Sequence, residues 1–131
     1  MRYISFVIPY TDIPPTHELM DAMGTLAERE MKAGRLIDMG GLMPVNTATR
    51  VAIKKNKVLV TDGPFTESKE VVGGFAIFEF ATKEDAVASA VEFMNLHKQF
   101  CPGWEGVCEV RQLAPMDAPE ACGGASAVNA A

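Results

Sequence analysis

The sequence predicts an α+β domain, and three patterns carry that prediction. Two segments repeat apolar residues at the helical spacing of three and four, each lies between strand-like apolar runs, and a turn-bounded hairpin separates the two units. The resulting order is β-α-β, a hairpin, then β-α-β. Two βα units around an antiparallel sheet are the ferredoxin-like plan, here enlarged by one inserted hairpin.

The first strand is read at Tyr3 to Ile8, where aromatic and β-branched residues run up to Pro9, which cannot donate to a ladder. Its near-continuous apolarity predicts burial on both faces. Asp12-Ile13-Pro14-Pro15-Thr16 is a helix entrance, because proline suits a first turn whose N–H groups have no intrahelical partner. From His17 to Lys32 the apolar residues Leu19, Met20, Met23, Leu26, Ala27 and Met31 define one helical face, and Gly34 closes the helix. Arg35 to Met39 reads as the second strand, with Gly40-Gly41 permitting a bulge or a close approach.

Leu42 to Asn46 is a crossing segment. Thr47 to Lys54 and Lys57 to Thr61 then form the hairpin, with Lys55-Asn56 as a tight turn in which Asn tolerates positive φ. Gly74 to Phe80 is another apolar strand, and Thr82-Lys83-Glu84-Asp85 opens a second helix in the manner of a capping box. That helix is expected to run to about Leu96, with Ala86, Val87, Ala90, Val91, Phe93 and Met94 inward. His97 to Trp104 is an irregular link, with His97 as a cap near the helix C-terminus, and Val107 to Leu113 is the last strand. Residues 1–113 thus make one domain. In residues 114–131, small side chains without periodicity cannot bury enough to offset their ordering entropy, which predicts a mobile tail that a partner subunit could order.

Composition excludes several functions. A net charge of −5 argues against a nucleic-acid surface, which needs a concentrated basic patch, and Lys54-Lys55-Asn56-Lys57 is only a short solvated hairpin tip. Cys101, Cys108 and Cys122 are odd in number and lack CxxC spacing, against both a disulfide framework and a zinc knuckle, so a cytoplasmic setting is expected. The N-terminal apolar run stops at Pro9, which predicts no signal peptide, and no stretch approaches the roughly 20 apolar residues of a spanning helix. No membrane partner is therefore expected. There is no HExxH, Walker loop, GxGxxG or GxSxG, so no cofactor is expected; a metal site would have to assemble from His17, Asp38, Asp62 or Glu67 across the fold.

The most informative stretch runs from Val60 to Gly74. Asp62-Gly63-Pro64 forces the chain to leave the strand abruptly, presenting a carboxylate at a strand end, while Phe65 anchors the turn and Gly73-Gly74 lets the chain re-enter a strand at close quarters. Leu59 to Glu70, followed by Gly73-Gly74-Phe75, closely resembles the signature of the DGPF family, a branch of the YciI-like (YCII-related) proteins. Gly34-Arg35-Leu36-Ile37, Gly41-Leu42-Met43-Pro44, Ala48-Thr49-Arg50-Val51 and Glu109-Val110-Arg111 look like further landmarks of the same family, so the resemblance covers roughly residues 2 to 113. It implies a ferredoxin-like protomer that pairs into a dimeric α/β barrel with a cleft. YciI-like proteins are associated with a histidine–aspartate pair, and His17 with Asp62 is the nearest analogue here.

Asp62 is accordingly the first catalytic candidate. Partial burial beside Phe65 would raise its proton affinity and suit it to general acid–base work, whereas accepting the N–H groups of its own turn would lower it. His17 stands in the first turn of a helix, where the dipole favours a neutral, proton-accepting imidazole. Phe65, Lys69, Glu70 and Arg111 are candidate substrate-binding residues: Lys69 and Glu70 can pair with Asp62 or Arg50, and Arg111 can grip a carboxylate or form an ordinary ion pair. A sheet covered by helices on one side leaves an apolar face that calls for a second copy, so self-association is expected. A small organic molecule is expected in a cleft near Asp62, and two functions remain: a cofactor-independent lyase, isomerase or dehydrohalogenase-like enzyme acting on it, or a non-catalytic dimeric binding or interaction module.

Overall fold

The computed structural model describes residues 1–65 and 71–115. In chain order the elements are β1 (Arg2–Pro9), α1 (His17–Lys32), β2 (Leu36–Gly41), a single 3-10 turn (Val45–Thr47), β3 (Thr49–Lys54), β4 (Lys57–Asp62), β5 (Gly74–Glu79), α2 (Lys83–Phe100) and β6 (Gly106–Gln112). Four strands form an antiparallel sheet in the order β2-β5-β1-β6, and β3 and β4 pair only with each other. This arrangement is compatible with the ferredoxin-like plan, with the hairpin inserted between β2 and β5.

Alternation along the strands decides which side chains meet the helices. Tyr3, Ser5 and Val7 of β1 lie opposite Phe78, Ala76 and Gly74 of β5, and Tyr3 packs with Phe80, with Ala86 of α2, and with Phe78 and Val110. Both helices therefore cover the Tyr3 face. Ile4, Phe6, Ile77 and Val107 alternate onto the opposite face, where they are half-buried. Burial of β1 is therefore one-sided for most of its length: Tyr3 and Ser5 are buried on the helix-covered face, whereas on the opposite face only Ile8 is buried, because no helix covers Ile4 and Phe6.

Each helix begins on a threonine. Thr16 Oγ1 accepts the Leu19 N–H at 3.1 Å, and Thr82 Oγ1 accepts the Asp85 N–H at 3.1 Å. Such caps are typically worth about 1 kcal/mol. The Thr16 hydroxyl also donates to the Phe100 carbonyl, which ties the start of α1 to the end of α2. Gly34, at φ +76°, follows the C-cap of α1 in the left-handed region that glycine adopts without strain.

The structure departs from the sequence reading in specific places. α2 extends to Phe100 because nothing before Pro102 interrupts it. Met20, Met31, Val87 and Val91 are 42–54% exposed, since the stripe of each helix that meets the sheet is narrower than its apolar face. The bulge falls between Leu36 and Asp38, and Gly40 is instead a close approach, because a Cβ there would stand 3.0 Å from the Phe75 ring. Lys55 and Asn56 both take positive φ, as the tight hairpin turn requires. Cys101 is buried, Cys108 is half-buried, and both are free.

Candidate functional site

Small residues facing one another across the helix–sheet interface create the main cavity. Ser5 pairs with Ala76 at the middle of the sheet, and Gly24 of α1 and Ala90 of α2 lie across from them. A layer interface lined by such short side chains cannot be filled to normal density, and a space of about 910 Å³ remains. Met23, Met39, Phe78, Phe93 and Trp104 supply apolar wall. Ser5, Ser89, His97 and Cys108 are polar groups set among them, with Thr11 and the exposed Asp12 also in the lining.

His97 is the notable member. Its side chain is turned inward one turn before the end of α2, leaving the residue 6% exposed. Nδ1 lies 3.0 Å from the Phe93 carbonyl, and the ring packs between Phe93 and Trp104 at centroid distances of 4.7 and 4.5 Å. Reading His97 only as a helix cap missed this placement; the signal available was its i+4 spacing from Phe93, which puts both on one face. Burial pushes the Cys108 thiol up, and a hydrogen bond with Ser5 opposes that shift only in part. The thiol is thus kept neutral, which does not suit it to nucleophilic attack.

The Asp62 loop lies elsewhere, at the foot of the exposed hairpin. Asp62 is opposite Thr49, whose hydroxyl donates to Oδ1 at 2.7 Å, and the Gly63 N–H donates to the Ala48 carbonyl at 2.9 Å. Arg50 stacks its guanidinium 3.9 Å from the centre of the Phe65 ring. Asp62 is exposed because the hairpin projects from the sheet, and its hydrogen-bond partner among the described residues is a hydroxyl across the ladder. Lys69, Glu70 and Glu67 lie outside the described residues, as does the tail from residue 116 onward.

His17 has a side chain 84% exposed and stands 3.7 Å from Asp21. His17, Asp62, Phe65 and Arg111 are not among the residues that line the cavity. Arg111 is exposed on the helix-free face, with Nε donating to Glu109 at 2.6 Å, so the protomer holds it in an ordinary ion pair. Among the described residues no group of three histidine, cysteine or carboxylate side chains could hold a metal ion, and no helix is long and apolar enough to cross a membrane.

A second, polar cleft is lined by an ion-pair network that sequence reasoning did not anticipate. Glu30, 4% exposed, accepts from Arg35 at 2.6 and 3.0 Å and from Arg29 at 3.2 Å, and Arg29 in turn holds Glu92 through two bonds of 2.7 and 2.8 Å. The network joins α1, the start of β2 and α2. Its charges are mutually satisfied, which marks it as a clamp rather than a receptor.

Two comparisons bear on identity. The family model of the YCII-related domain matches residues 1–117. An uncharacterised protein of Rhizobium meliloti (strain 1021) is 28% identical over 96 residues, a span covering 73% of each chain.

Proposed function

The chain belongs to the YCII-related domain family, and from that premise we propose that it acts as a homodimer binding a small organic molecule in the cavity between its helices and its sheet. The observation that carries this reading is the cavity: a largely apolar space of about 910 Å³ with a few inward polar groups, within the size range typical of small-molecule sites. Two features support pairing of copies. Ile4, Phe6, Ile77 and Val107 form an apolar face without a helix over it, and the hairpin leaves Val51, Ile53, Val58 and Val60 at 66–79% exposure. A two-stranded ribbon is marginal in water by itself and gains from a cover.

Catalysis is a second reading, favoured by the Thr49–Asp62 hydrogen bond, which fixes the direction of an otherwise mobile carboxylate. Asp62 would act as general acid or base in a cofactor-independent lyase, isomerase or dehydrohalogenase-like reaction, with His17 assisting. Because neither lines the cavity of its own protomer, this reading draws Asp62 from the hairpin of a second copy.

Calorimetric titration with neutral aromatic compounds tests the proposal. Ala76→Leu fills the middle of the cavity, so it is expected to abolish binding while leaving Tm unchanged or higher. Retained affinity in that variant would move the site elsewhere. Asp62→Asn separates the two readings: loss of turnover at unchanged Tm supports catalysis, whereas unchanged ligand affinity without any turnover supports a binding module.

A further inference from the structure

We infer that the cavity accepts a neutral, ring-sized apolar molecule carrying one hydrogen-bond donor, a hydroxyl in the simplest case, and that Nε2 of His97 receives that donor. The inference rests on the reading of the cavity as the ligand site and adds the chemistry of its occupant.

The tautomer follows from geometry. The Phe93 carbonyl can only accept, so Nδ1, at 3.0 Å, carries the proton and donates it. With one proton on the ring, Nε2 is then a lone-pair acceptor. It has no hydrogen-bond partner among the described residues, yet no side-chain nitrogen or oxygen there is both fully buried and unpartnered. Nε2 therefore reaches open space, and with His97 6% exposed and lining the cavity, that space is the cavity. An acceptor set between Phe93 and Trp104 is desolvated by any guest that displaces water, and only a guest with a donor offsets that loss.

The walls decide the charge. Among the described lining residues there is no lysine or arginine, and the one carboxylate, Asp12, is exposed. A carboxylate or phosphate inside would be buried without a lysine or arginine to pair it, which is unfavourable. Aromatic and methionine side chains favour a planar apolar body instead.

The chain has a single tryptophan, Trp104, and it lines the cavity, so its fluorescence reports occupancy directly. Titration with 4-propylphenol, 4-propylanisole and 4-propylbenzoate varies the donor and the charge on one apolar body. The phenol is expected to bind about tenfold more tightly than the ether, the worth of one desolvated hydrogen bond, and the benzoate more weakly than either. His97→Phe keeps a ring but removes the acceptor, so phenol and ether should then bind within about twofold of each other. His97→Gln, which restores an acceptor oxygen, should recover part of the preference. Equal affinity of phenol and ether for the unaltered protein would overturn the inference while leaving the cavity as a ligand site. Tightest binding of the benzoate would overturn it on charge. Absence of any response to all three probes, by fluorescence and by calorimetry, would sink the cavity reading itself.

Discussion

Gly63 shows how one residue secures the Asp62 loop. A Cβ at Gly63 would stand 2.9 Å from the Asn46 carbonyl oxygen and 3.1 Å from that of Ala48, both backbone atoms that cannot swing aside. The Gly63 N–H is bonded to that same Ala48 carbonyl. Gly63→Ala must therefore push the loop off β3 and weaken the Thr49–Asp62 and Arg50–Phe65 contacts together. The expected loss is about 1–2 kcal/mol, seen as amide exchange across β3 and β4 roughly tenfold faster or more. Unaltered exchange in the hairpin would mean the close approach relaxes freely. At the same scale, His97 illustrates why residue type alone misleads. A histidine near a helix end is adequate as a cap, but the rotation of α2 carries this one inward.

Among the elements, both ends of α1 are tied to α2, at its C-terminus and at its middle. Thr16 to Phe100 fastens one end, and the Arg35–Glu30–Arg29–Glu92 chain fastens the other. Guanidinium hydrogen bonds hold the carboxyls of Glu30 and Glu92 below the ordinary range, although burial opposes the shift in both. The sign follows directly. A carboxyl whose folded value lies below its unfolded value stabilises the fold above the unfolded value, about 4.3, and that contribution is lost as pH falls through the folded value. Glu92 is 45% exposed, so solvent screening reduces its share and Glu30 carries most of the effect. Glu30→Gln is expected to cost about 1–3 kcal/mol at neutral pH and to flatten the loss of stability below about pH 4.3. Denaturant unfolding of both proteins across that range checks it, and parallel acid limbs would remove Glu30 from the account.

For the whole molecule, the decisive quantity is the number of chains in the particle. Ile53 is 79% exposed in the protomer, so Ile53→Asp should leave the fold of a single chain intact. If the hairpin is covered by a second copy, the same change buries a carboxylate at the contact and dissociates it. Sedimentation of the unaltered protein is expected to give two chains per particle, and of Ile53→Asp one, with unchanged far-ultraviolet circular dichroism. A single-chain particle for the unaltered protein would end the pairing proposal and, with it, any route for Asp62 to a neighbouring cavity.

Local chemistry determined the secondary structure from sequence alone: the bounds of α1, the threonine at the head of α2, the positive-φ hairpin turn and the antiparallel plan all follow from residue spacing and turn type. The ordered landmarks around Asp62-Gly63-Pro64-Phe65 carried a resemblance to the YCII-related proteins, the family whose model matches residues 1–117. Tertiary structure alone decided that Ser5, Ala76, Gly24 and Ala90 meet across a layer, that Arg35 closes on Glu30, and that Asp62 stands on a projecting ribbon while His97 turns inward. The physical reason is that periodicity assigns a residue to a face but carries no information about what that face meets. A cavity and an ion-pair network are properties of two surfaces brought together, and their members here are separated in sequence by up to about a hundred positions.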